Sequence, residues 1–127
     1  MAGDAVIVAG FGFRATATAD SLADALSRSG GRGRVAVLAT AEGKANAHAF
    51  RTFAQALSLP VEDVDATTLA RQETRTRSQA SLTARGVGSV AEASALAVAG
   101  PGARLLAPRV VSADGLAACA LAEGDRA

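Results

Sequence analysis

The sequence predicts an α/β protein, built as a single three-layer domain over residues 1–127 with a mainly parallel central sheet and a C-terminal β-hairpin. Three observations carry that expectation. Short apolar runs alternate with helical patterns over the first half of the chain, in the order β-α-β-α-β, which argues for parallel strands joined by right-handed crossovers. Half of the residues are hydrophobic and a fifth are charged, the composition of a chain that buries a core. Near the end, Asp114-Gly115 separates two further apolar runs, the signature of an antiparallel turn.

The elements follow in order. Ala5 to Ala9 is a continuous apolar run and predicts a buried strand. Thr16 and Thr18 offer caps for a helix that carries Leu22 and Leu26 on one face and stops before Gly30-Gly31. Arg34 to Ala39 predicts a second strand. Ala45 to Leu57 has Phe50, Phe53, Ala54 and Leu57 at helical spacing, with Pro60 as a stop. Val61 to Asp65 predicts a third, weaker strand, and Thr67 to Gln72 a short capped helix. The polar stretch Glu73 to Gln79 predicts a loop. Ser89-Val-Ala-Glu92 has capping-box spacing and opens a helix of small residues reaching about Ala99, stopped by Gly100-Pro101. Ala103 to Val111 and Gly115 to Ala122 complete the hairpin.

Composition excludes several functions. Thirteen basic against twelve acidic residues, with no long basic block, disfavour a nucleic-acid partner, and four Phe without Trp or Tyr leave few stacking platforms for single strands. No apolar run approaches the roughly eighteen residues needed to span a bilayer, and no basic-then-apolar leader opens the chain, so no membrane partner and a cytoplasmic location are expected. One cysteine, Cys119, and one histidine, His48, cannot build a Cys/His zinc site, so no metal and no cofactor are expected. Cys119 fits a small core residue and His48 a solvated helix residue; no Ser-His-Asp or Cys-His constellation assigns a catalytic residue.

The stretch VAGFGFRA carries the candidate site. Gly10, Gly12 and Ala15 fit the G-x-G-x-x-[G/A] spacing that places a phosphate at a helix N-terminus. The residues leave three readings open: a dinucleotide turn, a plain strand-to-helix turn, and an anion cradle in which backbone N–H groups, the helix dipole and Arg14 converge. The first lacks its ribose-binding acid, because the second strand ends Leu38-Ala39-Thr40 and Glu42 lies beyond the usual spacing of about twenty residues. Lys44 follows the second strand at the same carboxyl edge, where open α/β sheets bind ligands, and is either a ligand partner of Arg14 or a solvated lysine. Arg71, Arg75 and Arg77 either solvate their loop or close it over a carboxylate. Glu92 is read first as a capping residue, with a ligand-facing carboxylate as the alternative.

Taken together, GFGFR, LAT followed by Lys44, Ser78, GVGSVAEASAL, ARLLAPR and the closing ACALA resemble the CobE family of cobalamin biosynthesis, which is similar to the C-terminal domain of CbiG. The resemblance spans about residues 4 to 123. It implies an α/β domain that binds or chaperones a precorrin, or another corrinoid intermediate, and that meets other enzymes of the cobalamin pathway. It also implies site residues at Gly12, Arg14, Lys44, Ser78, Ser89 and Glu92, to which the turn geometry adds Gly10. The alternative function is a lactone hydrolase of the CbiG type, acting on a cobalt-precorrin and releasing acetaldehyde; a nucleotide-binding domain is a lesser one. Two departures stand out. Family members often have Cys where Phe13 stands, and an acidic pair soon after the lysine where this chain has Ala45-Asn46-Ala47, so no role of that pair carries over. A precorrin is rimmed by acetate and propionate groups, and a glycine turn with Arg14 and Lys44 suits such carboxylates as well as phosphate.

Overall fold

The structure, a computed structural model, describes residues 5–72, 74 and 89–125. The elements run β1 (Val6–Phe13), α1 (Ala19–Ser29), β2 (Val37–Ala41), a 3₁₀ turn (Lys44–Asn46), α2 (His48–Leu57), β3 (Val61–Val64), α3 (Ala66–Ala70), α4 (Val90–Ala99), β4 (Arg104–Val111) and β5 (Ala117–Gly124). They build a five-stranded mixed sheet in the order β3-β2-β1-β5-β4. β1 pairs parallel with β2, and β2 with β3. The C-terminal hairpin adds to the other side of β1, β5 pairing antiparallel with both β1 and β4. The sheet is therefore parallel only across β1 to β3, not mainly parallel throughout, because the hairpin fills the open side of β1.

Alternate strand residues face two cores, as the pleat dictates. Ala9, Phe11, Leu38, Cys119 and Leu121 pack with Leu22, Ala25 and Leu26 of α1 and Phe50 and Phe53 of α2. Val8, Val37, Ala39, Ala41 and Ala122 pack with Leu69 of α3 and Ala95, Val98 and Ala99 of α4. α1 has the expected ends. Thr18 and Ser21 form a reciprocal capping box, and Gly30 closes the helix in the left-handed region at φ 84°.

The glycine motif lies elsewhere than the sequence suggested. β1 does not end at Ala9 but continues through Phe13, so Gly10 and Gly12 are strand residues and the helix begins only at Ala19. At Gly10 the requirement is proximity, whereas Gly12 leaves ordinary room for a Cβ. A Cβ on Gly10 would sit 2.6 Å from the Ala95 nitrogen and 2.7 Å from Ser94 Oγ, and it would also collide with the Ala91 carbonyl. Gly124 meets the Ala99 carbonyl in the same way. Ala91 lies on Ala118 and Ala120 of β5. α4 thus rests on a floor of glycine and alanine, as expected where another backbone approaches a strand closely.

The β4–β5 turn is tied to α1. Asp114 accepts hydrogen bonds from Ser21 Oγ and Ser112 Oγ, both at 2.6 Å, and from the Leu116 N–H at 3.0 Å. Asp24 of α1 accepts from the Ala113 N–H at 2.8 Å. The Ser112, Ser21 and Leu116 donors hold the Asp114 carboxyl below the usual range.

Two expectations follow. Gly10→Ala forces backbone atoms of α4 away from the sheet and should lower the denaturant midpoint by an overpacking cost of about 1–3 kcal/mol. Gly12→Ala should be nearly neutral, because its Cβ would meet Val90 Cβ at an ordinary 3.4 Å. Equal midpoints for the two variants would refute the close-approach account. Second, a carboxyl lowered by folding stabilises the protein above its unfolded pKa and loses that contribution as pH falls through the folded value. Asp114→Asn should therefore lose stability less steeply than the wild type below about pH 4, with no change in slope near neutrality. Superimposable acid limbs would leave the turn without pH-linked stability.

Candidate functional site

The carboxyl edge of β1 and β2 gathers most of the expected residues. The strand ends are fixed to each other by buried Thr40, whose Oγ1 donates to the Phe11 carbonyl at 2.9 Å. β1 then delivers Phe13, half-buried, and Arg14, exposed. Gly43, at φ 89°, turns the chain so that Lys44 opens the 3₁₀ turn. The Lys44 ammonium lies 4.7 Å from the centroid of the Phe13 ring. That ring in turn stacks on buried Phe50, with centroids 5.6 Å apart and planes 3° apart. Phe50 and Phe53 also contact Phe11, so all four phenylalanines of the chain form one cluster beneath the lysine.

Two helix N-termini reach the same edge. α2 follows the 3₁₀ turn directly, and its N-cap Ala47 supplies no side-chain acceptor to its first turn. α4 begins beside Gly12, against which Val90 packs. Its N-cap Ser89, buried, accepts the Glu92 N–H at 3.2 Å. Helix geometry leaves the N–H groups of Val90 and Ala91 without an intrahelical acceptor. Helix N-termini favour an anion.

Other expected residues have different surroundings. Gly10 lies inside β1, under α4, with its backbone in ladders to both β2 and β5. The Arg14 N–H is likewise used, donating to the Leu116 carbonyl at 2.9 Å. Any anion at this edge therefore meets the Arg14 side chain and the helix ends, while the backbone donors of the glycine motif are engaged in the sheet. Glu92 is fully buried, and its Oε2 accepts the Arg109 N–H at 2.8 Å. Only the Ser89 half of the expected box matches the anticipated geometry; the Glu92 carboxylate reaches across to β4. Ser78, Arg75 and Arg77 lie outside the described residues.

His48 is exposed at the first position of α2, and Cys119 is buried, its thiol pushed up to about 12 by that burial. A thiol in this state is no nucleophile near neutrality. Among the described residues, an open groove of about 620 Å³ runs between α2 and β3, lined in part by Arg51, Gln55, Glu62 and Asp63. Of the expected site residues it includes none. No helix among the described residues is long and apolar enough to cross a membrane.

The sheet, with helices on both faces and cationic side chains at its carboxyl edge, makes this an α/β protein, and its relatives belong to cobalamin biosynthesis. Residues 7–122 match the family model described as cobalamin synthesis G C-terminus, and the chain belongs to that family. Its fold is similar to that of CobE, a protein from the cobalamin (vitamin B12) biosynthetic pathway, with a TM-score of 0.84 and 30% identity over 97% of this chain and 93% of that one. It is also similar to the cobalamin biosynthesis protein ChiG of Agrobacterium tumefaciens str. C58, at TM-score 0.71 and 43% identity over 95% of this chain and all of that one. A cobalamin biosynthesis protein G homolog from Sulfolobus solfataricus shares the fold, at TM-score 0.68 and 17% identity over 95% of this chain and 37% of that one. None of the curated proteins compared matches the chain.

The role of Ser89 is open to a direct measurement. Ser89→Ala removes the acceptor for a buried N–H and should cost about 0.5–2 kcal/mol of stability in thermal or denaturant unfolding. An unchanged midpoint combined with lost ligand binding would instead make Ser89 a ligand contact.

Proposed function

We propose that the chain binds a precorrin, a carboxylate-rimmed tetrapyrrole, at the carboxyl edge of β1 and β2, and serves as a binding or chaperone protein that presents it to other enzymes of cobalamin biosynthesis. The observation that supports this reading is Lys44, seated over Phe13 immediately before Arg14 and opening the 3₁₀ turn that leads into α2. An arginine fork and a lysine point charge are complementary donors for neighbouring acetate and propionate groups. In this reading Gly12, Arg14, Lys44 and Ser89 line the ligand, Gly10 and Glu92 hold the helix that bounds it, and Ser78 joins them by resemblance to the family. Residues 1–127 work in the cytoplasm as one domain, with helices covering both faces of the sheet.

The test is a titration of the purified protein with a precorrin and, separately, with NAD(P). Precorrin should bind and NAD(P) should not, since the ribose-binding acid is missing. Arg14→Ala and Lys44→Ala should each weaken precorrin binding by about tenfold or more, the equivalent of one charge-assisted hydrogen bond. Arg14→Lys should bind more weakly than wild type because a point charge cannot reproduce the fork. Folding should survive, as removing these cations opens no core cavity. Wild-type affinity in both alanine variants at low salt sinks the proposed site. Multiple-turnover release of acetaldehyde from a lactone-bearing precorrin would replace the chaperone role by that of a hydrolase.

A further inference from the structure

We propose that Phe13 is the positioning residue for Lys44: its ring, stacked on Phe50, is a pedestal that holds the ammonium at the carboxyl edge. The inference rests on the reading that Lys44 meets the ligand. Lys44 is the single lysine of the chain, every other cationic side chain of fixed charge being arginine. A lysine on a solvated turn samples many rotamers, and a ligand that captures it must oppose that freedom. Here the flexible stem ends over an aromatic face 4.7 Å away, within the range of a cation–π attraction. The face itself cannot tilt freely. Phe13 is stacked in parallel on Phe50, which is fully buried and braced edge-on by Phe11. The ring takes one side of the ammonium and leaves its remaining N–H donors to other partners. A carboxylate arriving at the strand edge meets a charge already in place.

The single lysine makes the arrangement directly observable. Reductive methylation with ¹³C-formaldehyde labels Lys44 and the α-amine alone and keeps the positive charge. In the wild type the methyl signal of Lys44 should be shifted upfield by the Phe13 ring current. It should return toward the position of free dimethyl-lysine in Phe13→Leu and stay shifted in Phe13→Tyr, which keeps the face. Affinity is read with uroporphyrin, a tetrapyrrole rimmed by acetate and propionate groups, on the unlabelled protein. Phe13→Leu should weaken its binding about two- to fivefold, the scale of one exposed cation–π contact, and should have no effect in the Lys44→Ala background. Phe13→Tyr should bind like wild type, which separates loss of the aromatic face from a general loss of structure. An unshifted Lys44 signal in the wild type, a Phe13→Leu effect of the same size with and without Lys44, or tighter binding in Phe13→Leu each overturns the proposal. A shifted signal in a wild type that binds no tetrapyrrole supports the pedestal and overturns the ligand reading, so the two failures are distinguishable.

Discussion

The arrangement depends on one close approach, that of α4 to β1 at Gly10. With any larger residue there, the backbone of α4 at Ala91 and Ala95 could not lie against the sheet. The approach is repeated at Gly124 below Ala99, and between them Ala91 lies on Ala118 and Ala120. A helix held this near needs small side chains where it meets the strands, and half of α4 is alanine; the helix is buried nearly all round. Its seat also sets what its ends can do: Ser89 comes to lie beside the last residues of β1, and the buried Glu92 carboxylate reaches the Arg109 N–H.

The opposite face of the same strand carries the aromatic counterpart. Phe11 and Phe13 alternate with the glycines, so each step along β1 puts a small residue against α4 and a ring against α1 and α2. Phe11 is absorbed in the core, whereas Phe13, two residues nearer the edge, is half-buried and takes the lysine on its free face. Packing and charge placement at the edge are therefore consequences of one alternating sequence, G-F-G-F. The turn between β4 and β5 steadies the same edge from the other side, since Asp114 joins Ser21 at the start of α1 to Ser112 at the end of β4.

Much of the fold was legible in the sequence because the signals were local. The caps of α1 and α4, the stop after α2 and the Asp-Gly turn each depend on a few neighbouring residues, and the helices and the hairpin lie where those residues indicated. The glycine motif was misread because glycine serves two needs, a left-handed turn or the near approach of another backbone, and only the distant α4 decides between them. β2 begins at Val37, not Arg34, since Arg34 closes a turn onto the Gly31 carbonyl and only the Ala36 N–H already reaches β1, at the Ile7 carbonyl. The edge position of Arg14 and Lys44 could be read from strand order alone. The Phe13 stack could not, because it needs the relative placement of β1 and α2, and the reach of Glu92 to Arg109 needs a helix and a strand brought together across the sheet.

The Glu92 contact also shapes the margin of the sheet. Among the described residues β4 is an outer strand, and its pairing with β5 slips at Pro108-Arg109, where proline has no N–H to offer. The next amide, that of Arg109, is turned inward to the buried carboxylate. An outer strand with an unbroken row of donors is a template on which another chain can extend the sheet. Between Ala107 and Val110 the regular pairing is lost, Pro108 having no N–H and the Arg109 N–H being taken by Glu92. Among the described residues, β4 with its exposed Val111 thus does not present an unbroken run of free donors at this margin, because the carboxylate buried beneath α4 takes one of its amides.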